Sequence, residues 1–279
     1  MKLLDNWLSE LLPSRRILDL GCGCGSLTSQ LAERNVIGVD IDAKELARNP
    51  TLAGVCAESH RLPFGSNTFD MVICHHSLEH LHELAATIRE IRRVLQPEGR
   101  LFVSVPDGKS FSDRLYRILL CGGGHVQQFR FETVVHAIES GTALHLAGST
   151  ELFTSFIFVN RNNFRPAPLG RLPGPLPRRM RWLGHLPNWC FNMIRLWLNV
   201  ASRMTDSMLN TGLSRYGWAL AFAPTVRTSP LVSEQGYINV CMSCGAGLDR
   251  RSVHRFFRLL YRCPCCSQVN FLFSENRQR

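Results

Sequence analysis

Residues 17–25 read Ile-Leu-Asp-Leu-Gly-Cys-Gly-Cys-Gly, and this stretch decides the fold. An apolar run ends in three glycines at alternate positions, Gly21, Gly23 and Gly25, and a helical pattern follows over residues 26–34. Glycines at a strand-to-helix turn permit a tight turn and let the backbone come close to a ligand. The stretch therefore predicts a buried strand that ends in a ligand-binding turn. Because glycine patterns also occur in purely structural turns, the interpretation depends on the surrounding sequence.

Strand and helix patterns alternate through the first 148 residues. Strands are predicted at residues 16–20, 36–40, 53–56, 69–74, 100–105 and 142–146, and helices at 26–34, 43–48, 84–95 and 131–139. Strands that alternate with helices are typical of an α/β protein with a parallel sheet covered on both faces. The fold class expected from this order is a Rossmann-like, doubly wound, mostly parallel sheet.

An acidic residue stands where a nucleotide site needs one. Asp40 ends the second predicted strand, at about the spacing from the glycine turn at which a carboxylate meets ribose hydroxyls in a Rossmann crevice. A dinucleotide-dependent dehydrogenase is the rival interpretation. It is disfavoured because Ser26 stands where the third glycine of G-x-G-x-x-G is expected.

Further segments follow in a recognisable order: Leu62-Pro63-Phe64, residues 69–72, Leu78-Glu79-His80 and residues 93–100. With the glycine turn they resemble the large methyltransferase family of the ubiquinone- and menaquinone-biosynthesis type, over roughly residues 15–148. The resemblance implies a class I fold of seven strands and S-adenosylmethionine (SAM) as cofactor, and it is silent on the methyl acceptor. One departure is Glu98, where the family usually has glycine in a turn that does not touch the cofactor.

The resemblance also implies roles for the residues of the glycine turn and the second strand. Asp19, Gly21 and Gly23 would surround the methionine part of SAM, and Asp40 would accept hydrogen bonds from both ribose hydroxyls. Gly25 completes the turn and is included among the cofactor-binding residues.

The remaining cofactor contacts implied by the resemblance lie farther along the chain. Glu58, where the family usually has aspartate, would face the adenine amine, and Leu62 would contact adenine through its backbone. His75, just past the fourth strand, would border the methionine end and the acceptor.

Three histidines are candidates for a catalytic base. Methyl transfer from a sulfonium mainly needs alignment and desolvation, and a base is needed only if the acceptor carries a proton of high pKa. His76 and His80 follow the fourth strand, at the sheet edge where ligands bind in open α/β folds, and His125 follows Gly122-Gly123-Gly124. We expect a base among His76, His125 and His80. The alternatives are that no base is used and that His80 only packs against its helix.

The C-terminal cysteines predict a metal site. Cys241 and Cys244 form one C-x-x-C unit and Cys263 and Cys266 form another, with 18 residues between them. Four thiolates in this arrangement suit tetrahedral Zn²⁺ in a structural, ribbon-like module. Cys265 could replace a member of the second pair, and a redox dithiol pair or unrelated thiols are the alternatives.

Charge is distributed unevenly along the chain. The net charge is −3 over residues 1–160, +8 over residues 161–240 and +5 over residues 241–279, which gives +10 in total. Any acidic partner would therefore contact the later segments.

A Pro-rich, basic segment at 149–214 interrupts the α/β pattern and is expected to form a helical cap. In the family the sixth strand ends at the cofactor edge and the seventh, here near residues 216–223, starts from it, so an insertion between them would emerge beside SAM. Its arginines and aromatic residues are typical of helices on anionic lipid: Arg178, Arg179, Arg181, Trp182, Trp189, Phe191 and Trp197. The helix at 189–204 is apolar over most of its circumference, with one polar stripe of Asn192, Arg195, Asn199 and Arg203. The alternative is that this helix packs on the sheet and that Arg178, Arg179 and Arg181 form a solvated rim.

The predicted organisation is a SAM-binding core (1–148), a cap (149–214), the last core strand (215–230) and a zinc-ribbon-like module (235–279). The predicted function is a SAM-dependent methyltransferase acting on a small-molecule or lipid-linked acceptor, such as an envelope-glycan intermediate. A ribosomal RNA methyltransferase is the second candidate and a non-catalytic scaffold the third. Since no secretory signal or membrane-spanning run is evident, the expected location is the cytoplasm, with peripheral contact to an anionic membrane.

Overall fold

A computed structural model describes nine stretches of the N-terminal 225 residues and five short strands of the tail. These are residues 15–25, 31, 34–48, 53–119, 125–153, 156, 158–164, 181–209, 211–225, 237–240, 247–249, 254–257, 260–262 and 269–271.

A seven-stranded sheet forms the centre of the fold. Its strands are β1 (Arg16–Leu20), β2 (Asn35–Asp40), β3 (Gly54–Cys56), β4 (Phe69–His75), β5 (Leu95–Pro106), β6 (His145–Phe153) and β7 (Arg215–Ala223). The strand order is β3-β2-β1-β4-β5-β7-β6. The pairs from β3 to β5 are parallel, and β7 runs antiparallel to β5. The predicted Rossmann-like, mostly parallel sheet is confirmed.

The described helices follow the predicted alternation, and the helix predicted at residues 26–34 lies almost wholly outside the described residues. They are α1 (Ala43–Ala47), α2 (Leu84–Val94), α3 (Phe111–Leu119), α4 (Phe131–Thr142), α5 (Arg161–Phe164) and α6 (Asn188–Leu209). In α2 the buried residues Thr87, Ile88, Ile91 and Val94 recur at helical spacing, so one face covers the sheet. Gly141 of α4 lets the two helices approach, because a Cβ there would lie 2.5 Å from Cγ2 of Ile88.

The sixth strand was placed wrongly from the sequence. It was predicted at residues 142–146, whereas α4 continues to Thr142 and the strand runs from His145 to Phe153. Ala143 adopts a left-handed φ of 57° and ends the helix, with its N–H bonded to the carbonyl of Glu139. Thr142 fits the helix because its hydroxyl donates a hydrogen bond to the carbonyl of Ile138 at 2.7 Å. Its β-branched side chain is more typical of strands, so the sequence pattern favours a strand at this position.

The strand order reverses between β1 and β4. From β1 the chain moves to β2 and β3 on one side, and from β4 to β5 on the other. In open α/β sheets the crevice at such a reversal, beyond the carboxyl ends of the strands, is where ligands bind. The glycine turn after β1 and the histidines after β4 both lie at this reversal.

The chain divides into two compact units. The first comprises the described residues within 1–108, 126–151 and 217–233, and the second those within 109–125, 152–216 and 234–279. Residues 109–125 thus group with the second unit, although the sequence placed them in the core. The reason is packing, since Leu115 and Leu119 of α3 lie against a cluster that contains Phe156 and Phe164.

The longest helix of the second unit, α6, buries an unexpected face. Phe191 contributes to the core of that unit, and the polar residues Arg195 and Asn199 are also buried. Trp189 and Trp197 are 65% and 68% exposed. The polar stripe of this helix therefore faces inward. No helix in the described part of the chain combines the length and apolar character needed to cross a membrane.

The C-terminal tail contains two small antiparallel sheets. Strand β8 (Tyr237–Val240) pairs with β9 (Gly247–Asp249), and β10 (His254–Phe257), β11 (Leu260–Arg262) and β12 (Val269–Phe271) pair in that order. The four predicted zinc ligands, Cys241, Cys244, Cys263 and Cys266, and also Cys265, lie outside the described residues. In the sequence, each C-x-x-C unit belongs to the link between two strands that pair with each other.

Candidate cofactor and active site

The glycine turn after β1 has the backbone that its sequence predicts. Gly21, Gly23 and Gly25 all have left-handed φ values, of 74°, 54° and 73°. The N–H groups of Gly21 and Cys22 both donate to the carbonyl of Val39, at 2.8 and 3.0 Å. The turn is therefore fixed to the end of β2, in a conformation that residues with a side chain rarely adopt.

Two of these glycines are needed for different reasons. A Cβ at Gly21 would lie 2.4 Å from Cβ of Ser77, so the turn after β1 touches the segment after β4. A Cβ at Gly23 would meet nothing within 4 Å, so the space above the turn is open at this point. Gly21 thus permits close packing, and Gly23 exposes its backbone to whatever occupies the open space.

Asp40 connects the second strand to the glycine turn. Its Oδ2 accepts a hydrogen bond from the N–H of Gly23 at 2.7 Å, and its Oδ1 accepts one from the N–H of Asp42 at 2.9 Å. A carboxylate offers about four acceptor positions, so each oxygen can accept a further hydrogen bond. Asp40 can therefore hold the turn and still receive two hydroxyl groups of a ligand.

Two thiols near the glycine turn, those of Cys22 and Cys74, have raised pKa values. Burial, together with the charges of Asp19 and Asp40, raises the pKa of Cys22 to about 12. Burial followed by the charge of Asp19 also raises the pKa of Cys74, which has no exposed surface. Neither thiol can act as a thiolate nucleophile near neutral pH. Asp19 itself is buried at the end of β1.

The side predicted to hold adenine contains one exposed and one buried residue. Glu58 follows β3 with a half-exposed side chain, and its Oε2 lies 3.4 Å from Nε2 of His60. The Leu62 side chain is buried, and its N–H donates to Oε2 of Glu90 at 2.9 Å. Its carbonyl accepts from Nη2 of Arg93 at 3.1 Å. A backbone contact of Leu62 with adenine would therefore have to use the second lone pair of this carbonyl.

Sequence reasoning missed Ile41. This residue follows Asp40 directly, and its apolar side chain is 69% exposed. Its carbonyl accepts a hydrogen bond from Sγ of Cys56, which anchors the backbone. An apolar residue directly after the acidic residue of β2 was the available signal. An exposed aliphatic side chain at this position offers a flat apolar surface to a purine ring.

His75 is held neutral at the end of β4. Its Nδ1 lies 2.6 Å from Oγ of Ser104 on the neighbouring strand β5. Burial, with a smaller contribution from His76, lowers the pKa of His75 to about 3. His75 therefore presents an uncharged ring near neutral pH and does not exchange protons there.

His76 has the features expected of a functional histidine. Its φ is 51°, which is uncommon outside glycine, and its N–H donates to the carbonyl of Ser104 at 3.0 Å. Its side chain is 29% exposed, and Nδ1 lies 3.5 Å from Oε1 of Glu79. Glu79 is 1% exposed, and within the described residues its Oε2 has no hydrogen-bond partner. Strained backbone and buried, incompletely bonded carboxylates are retained mainly at functional sites.

The other two histidines have different surroundings. His80 is exposed and ends the short 3₁₀ turn Leu78–His80, with its N–H bonded to the carbonyl of Ser77. His125 belongs to the second unit, where its Nδ1 lies 3.0 Å from Oδ1 of Asp113. Burial opposes ionisation of Asp113, but hydrogen bonds from His125 and Arg117 outweigh it and lower the pKa of this carboxyl. A ring nitrogen of His80 also lies within 4.8 Å of a carboxylate oxygen of Glu79. His76 differs from it in its partly buried side chain, its left-handed backbone and its position directly after β4.

Comparison with known proteins agrees with this geometry. A family model described as "Methyltransferase domain" matches residues 18–103. The demethylmenaquinone methyltransferase of Corynebacterium urealyticum is 33% identical over 99 residues, which are 34% of this chain and 43% of that protein. The ubiquinone biosynthesis O-methyltransferase of Pseudomonas aeruginosa is 32% identical over 112 residues, 36% of this chain and 48% of that protein. The chain thus spans less than half the length of these curated relatives.

A solved structure extends the likeness in fold over most of the chain. The crystal structure of a SAM-dependent methyltransferase from Archaeoglobus fulgidus superposes with a TM-score of 0.52 at 17% identity, covering 79% of this chain and 90% of that one. At this identity the likeness concerns the fold alone. Residues 18–103 thus match the methyltransferase domain family, on a fold that a solved SAM-dependent methyltransferase shares.

Proposed function

We propose that the protein is a SAM-dependent methyltransferase. The observation that carries this proposal is the contact between Asp40 and the glycine turn at the strand reversal, where a left-handed Gly23 opens onto free space. The match of residues 18–103 to the methyltransferase domain supports it. A purely structural turn would not need the exposed apolar surface of Ile41 beside an acidic residue with spare acceptor positions.

The residues present fit SAM. Asp40 would receive the ribose hydroxyls, and Ile41 would lie against adenine, with Glu58 near the adenine amine. The open space above Gly23, close to the buried Asp19, would take the methionine part. When bound, SAM supplies an electrophilic methyl group on a sulfonium.

The residues after β4 would provide proton transfer and orientation. His76 would accept the proton of an acceptor hydroxyl or amine, and Glu79, as a positioning residue, would orient the ring and stabilise its protonated form. His75 stays neutral and contributes a fixed ring that contacts His76, with 4.4 Å between the ring centroids. The protein thus adds no positive charge from His75 beside the sulfonium.

Calorimetry with SAM, S-adenosylhomocysteine and NAD tests the proposed function. We expect both adenosyl compounds to bind with one site per chain and NAD not to bind. A protein that binds NAD tightly and neither adenosyl compound would contradict the assignment.

For the acceptor, we propose a lipid-linked molecule of the envelope-glycan class. The exposed apolar face of α6 supports this choice, because a protein that meets its substrate at a membrane needs such a surface. RNA is the second candidate, favoured by the charge of +5 over residues 241–279. Transfer of a tritiated methyl group from SAM to lipid and RNA fractions of a cell lysate distinguishes them. Label in the RNA fraction alone would exclude the lipid-linked acceptor.

We expect the substitution His76→Asn to lower the rate of methyl transfer by about 10²–10³-fold, within the range attributed to a positioned base. Affinity for SAM should change little, because Asn is compatible with the left-handed backbone at this position. Glu79→Gln should lower the rate less and shift the acidic limb of the pH–rate profile. The measurement is tritiated methyl incorporation into the labelled lysate fraction between pH 5.5 and 9.

His82→Asn is the matched control, because His82 is exposed, lies six residues away and is not among the candidate bases. Its rate should stay within about twofold of the wild type, in contrast to the loss expected of a base. Equal losses in the two histidine variants, or an unchanged pH profile in Glu79→Gln, would refute the role of His76 and leave alignment alone as the source of catalysis.

We also propose that the tail binds one structural Zn²⁺ through Cys241, Cys244, Cys263 and Cys266. The pairing of the strands that flank each C-x-x-C unit supports this, because a hairpin link brings two cysteines three positions apart close together. Four thiolates leave no open position for water, so the ion would stabilise the module and take no part in the methyl transfer.

A further inference from the structure

The helix α6 exposes an apolar stripe along most of its length. The stripe, called here the α6 apolar face, consists of Trp189, Met193, Trp197, Met204 and Met208, which are between 46% and 78% exposed. These residues recur every three or four positions, with the exposed Ala201 between them, so they share one side of the helix. From the first to the last, the stripe extends about 28 Å at 1.5 Å per residue.

The opposite side of α6 fixes this orientation. Arg195, Asn199 and Ser202 are 7%, 3% and 5% exposed and lie on the same side as the core residue Phe191. The side-chain amide of Asn199 donates to the carbonyl of Arg195 at 2.8 Å, and Arg195 bonds to Asn192. Rotating the helix to bury the tryptophans would expose Phe191. The apolar face is therefore a constant feature of this unit.

Charge is absent from the apolar face and concentrated near it in the sequence. The charged residues of α6, Arg195, Arg203 and Asp206, are all buried or half-buried. Residues 152–205 contain no acidic residue and eight arginines: Arg161, Arg165, Arg171, Arg178, Arg179, Arg181, Arg195 and Arg203. A segment of this composition attracts an anionic surface and does not repel it anywhere.

The exposed aromatic residues indicate what kind of surface this is. Trp182, which precedes α6 in the short 3₁₀ turn Arg181–His185, is 62% exposed, like Trp189 and Trp197. Tryptophan is enriched at the interface of bilayers, where an amphipathic ring meets both acyl chains and head groups. A protein partner of matching shape would bury the same area, but it would not account for a long stretch of arginines without acid.

We propose that the α6 apolar face docks parallel to an anionic membrane surface, with Trp189 and Trp197 inserted between the lipids. The positive charge of residues 152–205 supplies the attraction to anionic head groups. The same face supports the proposed lipid-linked acceptor, but the attachment itself needs no SAM, since it uses only residues of the second unit. Vesicle binding can therefore succeed or fail whether or not SAM binds.

The experiment is co-sedimentation of the full-length protein with sonicated vesicles, either of phosphatidylcholine alone or of phosphatidylcholine with 30% phosphatidylglycerol. The NaCl concentration is raised from 50 to 500 mM, over which the Debye length falls from about 14 Å to about 4 Å. We expect strong binding to the anionic vesicles that weakens with salt, and weak binding to the neutral ones. The tryptophan emission should shift to shorter wavelength and be quenched by brominated lipid. Lack of binding to either vesicle would overturn the proposal.

Two sets of variants separate the two contributions. Trp189→Gln with Trp197→Gln should lower vesicle affinity at least about tenfold and abolish the quenching by brominated lipid. Replacing Arg178, Arg179 and Arg181 with Gln should lower the preference for anionic lipid by about fivefold for each charge. Ile118→Gln, which changes a 54% exposed apolar residue of α3, is the matched control and should bind like the wild type.

Sedimentation velocity without lipid tests whether the α6 apolar face binds a second copy of the chain and not a membrane. We expect a monomer whose sedimentation is unchanged by Trp189→Gln and Trp197→Gln. A dimer that these substitutions dissociate would assign the face to self-association and refute membrane docking. Full vesicle binding by the double tryptophan variant would refute it as well.

Discussion

Asp40→Ala is expected to weaken the binding of SAM and S-adenosylhomocysteine by about 2–3 kcal/mol, or roughly 30- to 150-fold in Kd. The substitution removes two hydrogen bonds between a charged carboxylate and the ribose hydroxyls. It also leaves the N–H groups of Gly23 and Asp42 without the carboxylate to which they donate hydrogen bonds in the structure. The turn then loses both a ligand contact and one of its attachments to β2, and isothermal titration calorimetry measures the combined effect.

Two further variants identify the cause of the loss. Asp40→Asn keeps one oxygen acceptor without the charge and should bind SAM with intermediate affinity. Asp70→Ala is the matched control, because this carboxylate accepts hydrogen bonds at the start of β4, away from the carboxyl ends of the strands. It should leave the Kd unchanged even if it lowers stability. Equal Kd values for wild type and Asp40→Ala would contradict the proposed cofactor site.

Cys244→Ser is expected to release zinc and unfold the tail. Purified without chelator, the wild-type protein should carry one zinc per chain by elemental analysis, and the variant close to none. The free energy of binding structural zinc is about 10–16 kcal/mol in isolated modules, and it drives their folding. The tail should become sensitive to protease, while SAM affinity persists because the sheet has its own core.

The cysteines elsewhere in the chain provide the control for this experiment. Cys190→Ser changes a half-buried free cysteine of α6 and should retain the full zinc content. Cys265→Ser should retain it too if Cys263 and Cys266 are the second pair. Wild-type protein that contains no zinc would reject the site, and loss of zinc in Cys265→Ser would reassign one ligand.

The sequence predicts best where local pattern and tertiary structure agree. The glycine turn, Asp40 and the first strands were predictable because left-handed glycines, a strand end and an acidic residue leave their signals within a few neighbouring positions. The sixth strand was misplaced because Thr142 satisfies its hydroxyl within α4. The residue type of Thr142 gives no indication of this hydrogen bond within the helix.

Other features depend on contacts between residues far apart in the sequence. The pattern of α6 shows one polar and one apolar side, but which of them meets the core depends on the aromatic cluster of Phe156, Phe164 and Phe191. His125 is similar, because its bond to Asp113 and its place in the second unit follow from how α3 packs. Periodicity cannot supply such information.

The contact between Gly21 and Ser77 has a consequence for how methyl donor and acceptor bind. The glycine turn, which would receive the cofactor, packs at Gly21 against Ser77, which belongs to the segment that carries His76. A shift of one of these segments therefore moves the other. A ligand that immobilises the turn therefore also lowers the entropy of the histidine segment before the acceptor arrives, and linkage requires the reverse effect to be equal. The consequence is that methyl donor and acceptor would each raise the affinity of the protein for the other by the same factor, whichever binds first.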